Sequence, residues 1–285
     1  RELAQRARAL GFDAVCTGHY ARIVEGPNGP QLHRGKDEAK DQSYVLAIMG
    51  PQELPRVIFP LGEAPSKAWV RSEAERMGLG VSNKPDSYDI CFIPDGDTQG
   101  FLKSHLGSKP GEIIDTDGQV VGRHEGYWNF TVGQRRGLNL GNPAADGRPR
   151  YVVETRPETN QVIVGASELL SVDRITCSDI VWLANDDQGD VDEAATSAFG
   201  ASIGERSLGE VDERVLTAQI RAHGTPSVVT SVQRFGEEEQ KLELSLALPI
   251  RGVAAGQSMV LYRGTRVIAE ATIERANRGE GSMAS

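Results

Sequence analysis

At 285 residues, with 39% hydrophobic and 25% charged side chains, the chain is too long for one ordinary domain and long enough for two or three with separate cores. No run approaches eighteen apolar residues, and no basic start leads into an apolar segment and cleavage site, so a cytoplasmic protein with no membrane contact is expected. The formal net charge of −9 argues against a phosphate-rich partner, but residues 184–213 hold nine Asp or Glu against one Arg, so eight of those nine charges are local.

In chain order, residues 1–10 read as an amphipathic helix, with Leu3, Ala4, Ala7 and Leu10 at helical spacing and Gly11 at its end. Phe12 to Cys16 reads as a short buried strand closing at Gly18. Lys40 to Met49 carries a helical apolar set, Val45, Leu46, Ile48 and Met49. Ser66 is placed to cap a helix with Val70, Ala74 and Met77 inward and Gly78 at its end, and Asp97 to cap a third helix through Leu106.

From about Gly111 the texture becomes short strands. Ile113-Ile114 and Val120-Val121 flank the tight-turn pair Asp117-Gly118, and Tyr151 to Glu154 and Gln161 to Val164 flank residues 157–160 in the same manner. Six further strands, over 174–183, 215–221, 228–234, 241–248, 258–262 and 266–273, predict a barrel. Within it Leu242, Leu244, Leu246 and Leu248 alternate with smaller or polar residues, the pattern of a half-buried strand. Residues 184–213, rich in Gly, Ser and Ala, predict a mobile acidic insertion, and 277–285 a disordered tail. The expected division is an α/β domain over 1–107, a small central β domain over 108–170 and the barrel over 171–276.

Several residue groups could carry chemistry, each with a bland alternative. Thr17-Gly18-His19-Tyr20 follows a strand of an α/β segment, where ligands bind beyond the carboxyl ends, yet Gly18 could simply turn the chain and His19 decorate the surface. Lys40-Asp41-Gln42-Ser43-Tyr44 gathers polar groups at a helix start, which favours anions or merely caps the helix. The loop 130–138 sets Gln134, Arg135 and Arg136 between glycines, a phosphate contact or a charged turn. Cys16, Cys91 and Cys177 form no Cys-x-x-Cys pair, which predicts free thiols and neither a structural zinc site nor a disulfide scaffold. Cys16 and Cys177 sit in strand-like runs and read as packed. Cys91 lies between Ile90 and Phe92, compatible with burial, but polar flanks, a following turn and Lys84 nearby in sequence suit a reactive thiolate.

Taken in order, Thr17-Gly-His-Tyr-Ala-Arg22, Lys40-Asp-Gln-Ser-Tyr44, Phe59-Pro-Leu-Gly62, Asp89-Ile-Cys-Phe-Ile93 and Thr131-Val-Gly-Gln-Arg-Arg-Gly-Leu138 resemble the bacterial tRNA-specific 2-thiouridylase family, and Gly256-Gln-Ser258 and Tyr262 extend the resemblance into the barrel. The resemblance implies an ATP-pyrophosphatase-type (PP-loop) α/β domain, a central β domain and a C-terminal β-barrel. It implies a sulfurtransferase that uses ATP, accompanied by Mg2+ and with no resident metal, to adenylate the C2 oxygen of the wobble uridine. Cys91 would carry the sulfur as a persulfide, received from a sulfur-relay protein or cysteine desulfurase, and a second thiolate would release it by forming a disulfide. Gly18 would contact ATP, while His19, Lys40, Asp41, Gln42, Arg221, Ala222 and Gln257 would face tRNA. Ala222 departs from the aromatic residue frequent in relatives.

The resemblance also implies a Ser-Gly-Gly-x-Asp-Ser phosphate loop and a further cysteine after Asn-Pro-Asp, both upstream of Arg1; neither motif occurs in this sequence. These 285 residues by themselves are therefore expected not to thiolate tRNA, and to be monomeric. The rival readings are a non-catalytic tRNA-binding protein, which has no need of Cys91, and another ATP-pyrophosphatase-type synthetase, which has no need of the Asp-Ile-Cys-Phe-Ile run.

Overall fold

The structure is a computed structural model describing residues 2–80, 97–140, 146–183, 215–237 and 240–278. The chain divides into two compact units, one of Arg1–Asn83, Asp173–Leu248 and Ala255–Ser285, the other of Lys84–Val172 and Pro249–Ala254. The expectations for Lys84, for the run 86–93 with Cys91, for the insertion 184–213 and for the tail beyond residue 278 lie outside the described residues.

The first unit begins with α1 (Glu2–Ala9), β1 (Val15–Cys16), β2 (Ala21–Gly26), β3 (Gly29–Arg34), α2 (Ser43–Leu46), β4 (Val57–Ile58) and α3 (Lys67–Arg76). Strands β1 and β4 pair in parallel, Val15 opposite Val57 and Cys16 opposite Ile58. As predicted, Gly11 and Gly78 follow the ends of α1 and α3, and the Ser66 hydroxyl accepts from the Trp69 amide at 3.2 Å to cap α3.

Several apolar residues expected inside are not. Leu3 and Leu10 are 61% and 68% exposed, Phe12 and Met77 are exposed, and the strand expected over 12–16 is only two residues long, with Cys16 exposed. Among the described residues β1 has one paired neighbour, β4, and no strand lies along its other edge. In the segment 40–49, a short α-helix flanked by 3-10 turns buries Leu46, Ala47 and Met49 but leaves Val45 and Ile48 exposed. The 3-10 turns rotate the apolar set off a single helical face.

The second unit holds α4 (Thr98–Leu106), β5 (Gly111–Asp115), β6 (Val120–His124), β7 (Tyr151–Arg156) and β8 (Gln161–Gly165). Asp97 caps α4 through the Gly100 amide at 2.8 Å. The four strands form one sheet in the order β6-β5-β8-β7, with β5 and β8 parallel and the two predicted hairpins antiparallel. Gly118 takes φ +81° in the first hairpin, a left-handed turn conformation that side chains resist. Ile113, Val152, Val162 and Val164 form this unit's core with Leu138.

The chain continues, almost entirely within the first unit, with β9 (Ser171–Trp182), β10 (Leu216–Gln219), β11 (Ser227–Phe235), β12 (Lys241–Arg251), β13 (Ser258–Arg263) and β14 (Arg266–Asn277). These six close into a barrel, because the order β13-β10-β11-β12-β9-β14 is completed by pairing of β13 with β14. The expected α/β then all-β arrangement is therefore the observed one. Leu242, Leu244 and Leu246 are buried as their alternation predicts, while Leu248 is 71% exposed because β12 runs past the core before its end at Arg251.

One element escaped the sequence reading. Strands β2 and β3 form a hairpin with Gly26 opposite Gly29, and β3 extends the barrel sheet through Arg266 opposite His33. The Arg34 amide also donates to the Thr265 carbonyl at 2.8 Å. The α/β segment and the barrel thus share a core in which Ala21, Leu32, Leu46, Val57 and Phe59 pack with Val260, Tyr262 and Val267.

Candidate functional site

Three of the singled-out motifs close on one another at the base of the β2–β3 hairpin. The Tyr20 amide donates to the Gln42 side-chain oxygen at 3.0 Å, and the Gln42 amide donates back to the Tyr20 carbonyl at 2.8 Å. The Lys36 amide donates to the Gly62 carbonyl at 2.9 Å. A Cβ on Gly62 would sit 1.8 Å from the Ala21 carbonyl oxygen, so the Phe59-Pro-Leu-Gly62 turn reaches the strand only because this residue has no side chain.

Asp41 is 6% exposed and both of its carboxylate oxygens are engaged inside the fold. One accepts from the amides of Gly35 at 2.9 Å and Ser43 at 3.1 Å; the other accepts from Arg34 Nη1 at 3.1 Å and the Ser43 hydroxyl at 2.8 Å. A carboxylate so fully coordinated holds its neighbours in place, Gln42 among them, and presents no free acceptor outward.

Arg34 carries the arrangement into the barrel. Its guanidinium lies 3.6 Å over the Tyr262 ring, and Nη2 donates to Gln219 Oε1 at 2.7 Å. The Tyr262 hydroxyl meets the Ser43 hydroxyl at 3.2 Å, and burial raises its pKa well above the ordinary phenol value. Gln219, 2% exposed at the end of β10, donates from Nε2 to the carbonyls of Arg221 at 2.8 Å and Ala222 at 3.1 Å. A second tie runs from the Tyr44 hydroxyl to the Ser258 carbonyl at 2.7 Å, beside Gln257, whose carbonyl accepts from the Ile273 amide at 2.8 Å. Burial first, then the Glu270 carboxylate, push the Tyr44 phenol upward.

Of the residues singled out by resemblance, Asp41, Arg221 and Ala222 are joined by hydrogen bonds through Arg34 and Gln219, while Lys40 and Gln42 flank Asp41 in the chain and Gln257 precedes the Ser258 that Tyr44 bonds. Arg221 is exposed, Lys40, Gln42, Ala222 and Gln257 are half-buried, and Asp41 is beneath them. The side chains that connect them, Arg34, Gln219 and Tyr262, went largely unread in the sequence. Only Tyr262 falls within the resemblance, and an arginine at the end of a strand gives no sign that two of its three partners, Gln219 and Tyr262, lie about two hundred residues away.

Gly18 lies just past the carboxyl end of β1, where the Thr17 amide donates to the Ile58 carbonyl at 3.0 Å to continue the parallel pairing with β4. It is exposed, and a Cβ there would meet only Leu61 Cδ1 at 3.7 Å, so its backbone is open to approach at the strand mouth. His19 is fixed beside it by the Thr17 hydroxyl at 2.8 Å from Nδ1 and by edge contact with the Phe59 ring. Among the described residues no group of three or more His, Cys, Asp or Glu side chains is placed to share a metal ion.

In the second unit, the Gln134 side chain is consumed by its own loop, accepting from the Thr131 amide at 3.0 Å and donating to the Arg136 carbonyl at 2.9 Å. Gln134 thus braces the turn, and what the loop presents outward is Arg135 and Arg136, both exposed. Cys177 is buried, as expected, with its thiol pushed up to about 12 by burial, then by Glu270 and Glu274. Cys16, expected to be packed, is exposed at the open end of the short β1.

The matches to known families follow the same order as the fold. A tRNA methyl transferase HUP domain profile covers residues 1–95, a tRNA methyl transferase PRC-barrel domain profile 99–166, and an aminomethyltransferase β-barrel domain profile 203–273. The class is thus an α/β HUP segment followed by two β domains. Individual relatives are more specific. The tRNA-specific 2-thiouridylase MnmA of Beutenbergia cavernae is 53% identical over 97% of this chain and 67% of its own length. Those of Kocuria rhizophila and an Arthrobacter species are each 50% identical over 96% of this chain and 69% of their own lengths. The chain belongs to the tRNA-specific 2-thiouridylase family.

Proposed function

We propose that the chain serves ATP-dependent 2-thiolation of the wobble uridine of tRNA, with Cys91 carrying the sulfur as a persulfide and the neighbourhood of Lys40, Gln42, Arg221, Ala222 and Gln257 receiving the tRNA. The observation that supports this most is the joining of two distant sequence patches, 40–44 and 219–222, by buried polar side chains. A fully satisfied buried polar network rigidifies such a junction, as a surface that must present groups from two distant segments in fixed register requires.

In this reading Asp41 acts from below, fixing Gln42 and Arg34, while Lys40, Arg221 and His19 offer cations or donors to phosphates and bases. Gly18 gives the nucleotide a side-chain-free approach to the backbone beyond β1. When bound, ATP with its Mg2+ supplies activation of the uridine C2 oxygen as a leaving group. The sulfur reaches Cys91 from a sulfur-relay or cysteine desulfurase partner, and the protein works as a cytoplasmic monomer.

Two measurements test the reading together. Incubation with a cysteine desulfurase and cysteine should add one sulfur to the peptide containing Cys91, seen by mass spectrometry, and Cys91→Ser should abolish the addition. A tRNA transcript with an unmodified wobble uridine should bind the Cys91→Ser variant as well as the parent. Sulfur loading on Cys16 alone, or absence of tRNA binding, would remove the proposal.

A further inference from the structure

The turn after β10 exposes Arg221, yet what shapes it is underneath. Gly224 donates its amide to the Arg221 carbonyl at 3.0 Å, and the same carbonyl accepts from Gln219 Nε2 at 2.8 Å, with the Ala222 carbonyl accepting from the same nitrogen at 3.1 Å. The other end of that carboxamide accepts from Arg34 Nη2 at 2.7 Å. Only an amide side chain can accept from a guanidinium at one atom and donate to two carbonyls at the other. A carboxylate would keep the first contact and repel the second; an apolar isostere would keep neither.

Arg34 in turn cannot drift. It is ion-paired to Asp41 at 3.1 Å, stacked over the buried Tyr262 ring at 3.6 Å and 16% exposed. The line Asp41, Arg34, Gln219, Arg221 therefore links the segment that holds Gln42 to the turn that presents Arg221 and Ala222.

We infer that Gln219 is a positioning residue for tRNA: its buried carboxamide sets the backbone of the 221–224 turn and registers that turn, through Arg34, against the Lys40–Gln42 segment. This rests on the proposed tRNA-facing role of the turn. Gln219 touches no tRNA itself, and its effect is read through Arg221.

The test is a double-variant cycle on tRNA binding. Fluorescence anisotropy with an unmodified tRNA transcript, over a salt series, is measured for the parent, Gln219→Met, Gln219→Glu, Arg221→Ala and both double variants. Each Gln219 variant should weaken binding by about three- to tenfold, the scale of one or two lost hydrogen bonds. The salt dependence should become shallower by about one phosphate contact, as for Arg221→Ala. In the Arg221→Ala background, either Gln219 change should cost less than about twofold, because the group being positioned is gone.

Gln219→Glu retains the acceptor for Arg34 but loses the donor to the turn, Gln219→Met introduces no buried charge, and the thermal midpoint of each variant, expected within a few degrees of the parent, guards against a folding explanation. Parent-like binding by both Gln219 variants, with Arg221→Ala weakened, overturns the inference and leaves the proposed function standing. Losses that multiply in the double variants, with an unchanged salt slope, also overturn it, because they mark a general effect on the fold. An Arg221→Ala variant that binds like the parent overturns both the inference and the assignment of this turn to tRNA.

Discussion

A thiol reacts as its thiolate, and only where a reagent can reach it. The two described cysteines differ in access, and Cys177 is held back from forming a thiolate as well. Cys16 stands exposed at the end of β1, whereas Cys177 is enclosed in the barrel, where burial and the carboxylates of Glu270 and Glu274 push its pKa up to about 12. At pH 8 the folded chain should therefore take up iodoacetamide at Cys16 within minutes and leave Cys177 unmodified until denaturant is added. Peptide mass spectrometry after timed quenching distinguishes the two sites. Labelling of Cys177 at the rate of Cys16 in the native chain would show that the barrel opens far more readily than its packing implies. The exposure of Cys16 could not be read from Ala14-Val-Cys16, because an apolar triplet looks the same whether or not a neighbouring element covers it.

The β2–β3 hairpin is the element on which the neighbourhood depends, and its attachment to the barrel contains a histidine that resists protonation. His33, paired opposite both Arg22 and Arg266, has its pKa lowered from 6.5 to about 4 by burial, then by the two arginines. Its ring nitrogens meet the Thr265 hydroxyl at 2.9 Å and the Gln31 side-chain oxygen at 3.1 Å. Because the folded-state value lies below the unfolded one, the unfolded chain binds the proton first as the pH falls. The stabilising contribution is complete above about pH 6.5 and is lost progressively toward pH 4. For a half-buried group screened by solvent the loss is on the order of 1 kcal/mol. The thermal midpoint of the parent should thus fall more steeply between pH 6.5 and 4 than that of His33→Gln, which keeps a neutral polar group in place. Parallel profiles would show that His33 titrates without cost in the folded chain.

This same hairpin marks the limit of sequence reading at the element scale. The barrel strands were legible because Leu242, Leu244 and Leu246 alternate with smaller or polar partners over a long run. The hairpin was not, although Asn28-Gly29 between Arg22-Ile-Val-Glu25 and Gln31-Leu-His-Arg34 is a turn signal between two extended runs. Its strands have few buried apolar residues, Ala21 and Leu32 being the fully enclosed ones, so periodicity gives little warning. The candidate site shows the same division. Lys40 to Tyr44 stood out as a polar cluster, but Arg34 and Gln219 are placed by pairings between strands far apart in the chain, which no local pattern encodes.

For the whole molecule, the charge distribution poses a question that the fold sharpens. A chain of net charge −9 is asked to bind a polyanion, and eight of those charges fall within residues 184–213, between the end of β9 and the start of β10. Strand β10 is also the element that leads into the turn bearing Arg221. Unfavourable charge near a binding face acts over distances set by ionic strength, about 8 Å at physiological salt and about 30 Å at 0.01 M. Replacing the nine acidic residues of this segment by Asn and Gln should therefore tighten tRNA binding several-fold at low salt, with the gain disappearing above roughly 0.3 M as screening takes over. The change should appear mainly in the association rate, which long-range electrostatics governs, and little in dissociation. Stopped-flow anisotropy on the neutralised variant separates the two. A gain that persists unchanged at high salt would mean the segment competes with tRNA by contact and not by charge, and equal binding at every salt concentration would mean its charge does not reach the tRNA at all.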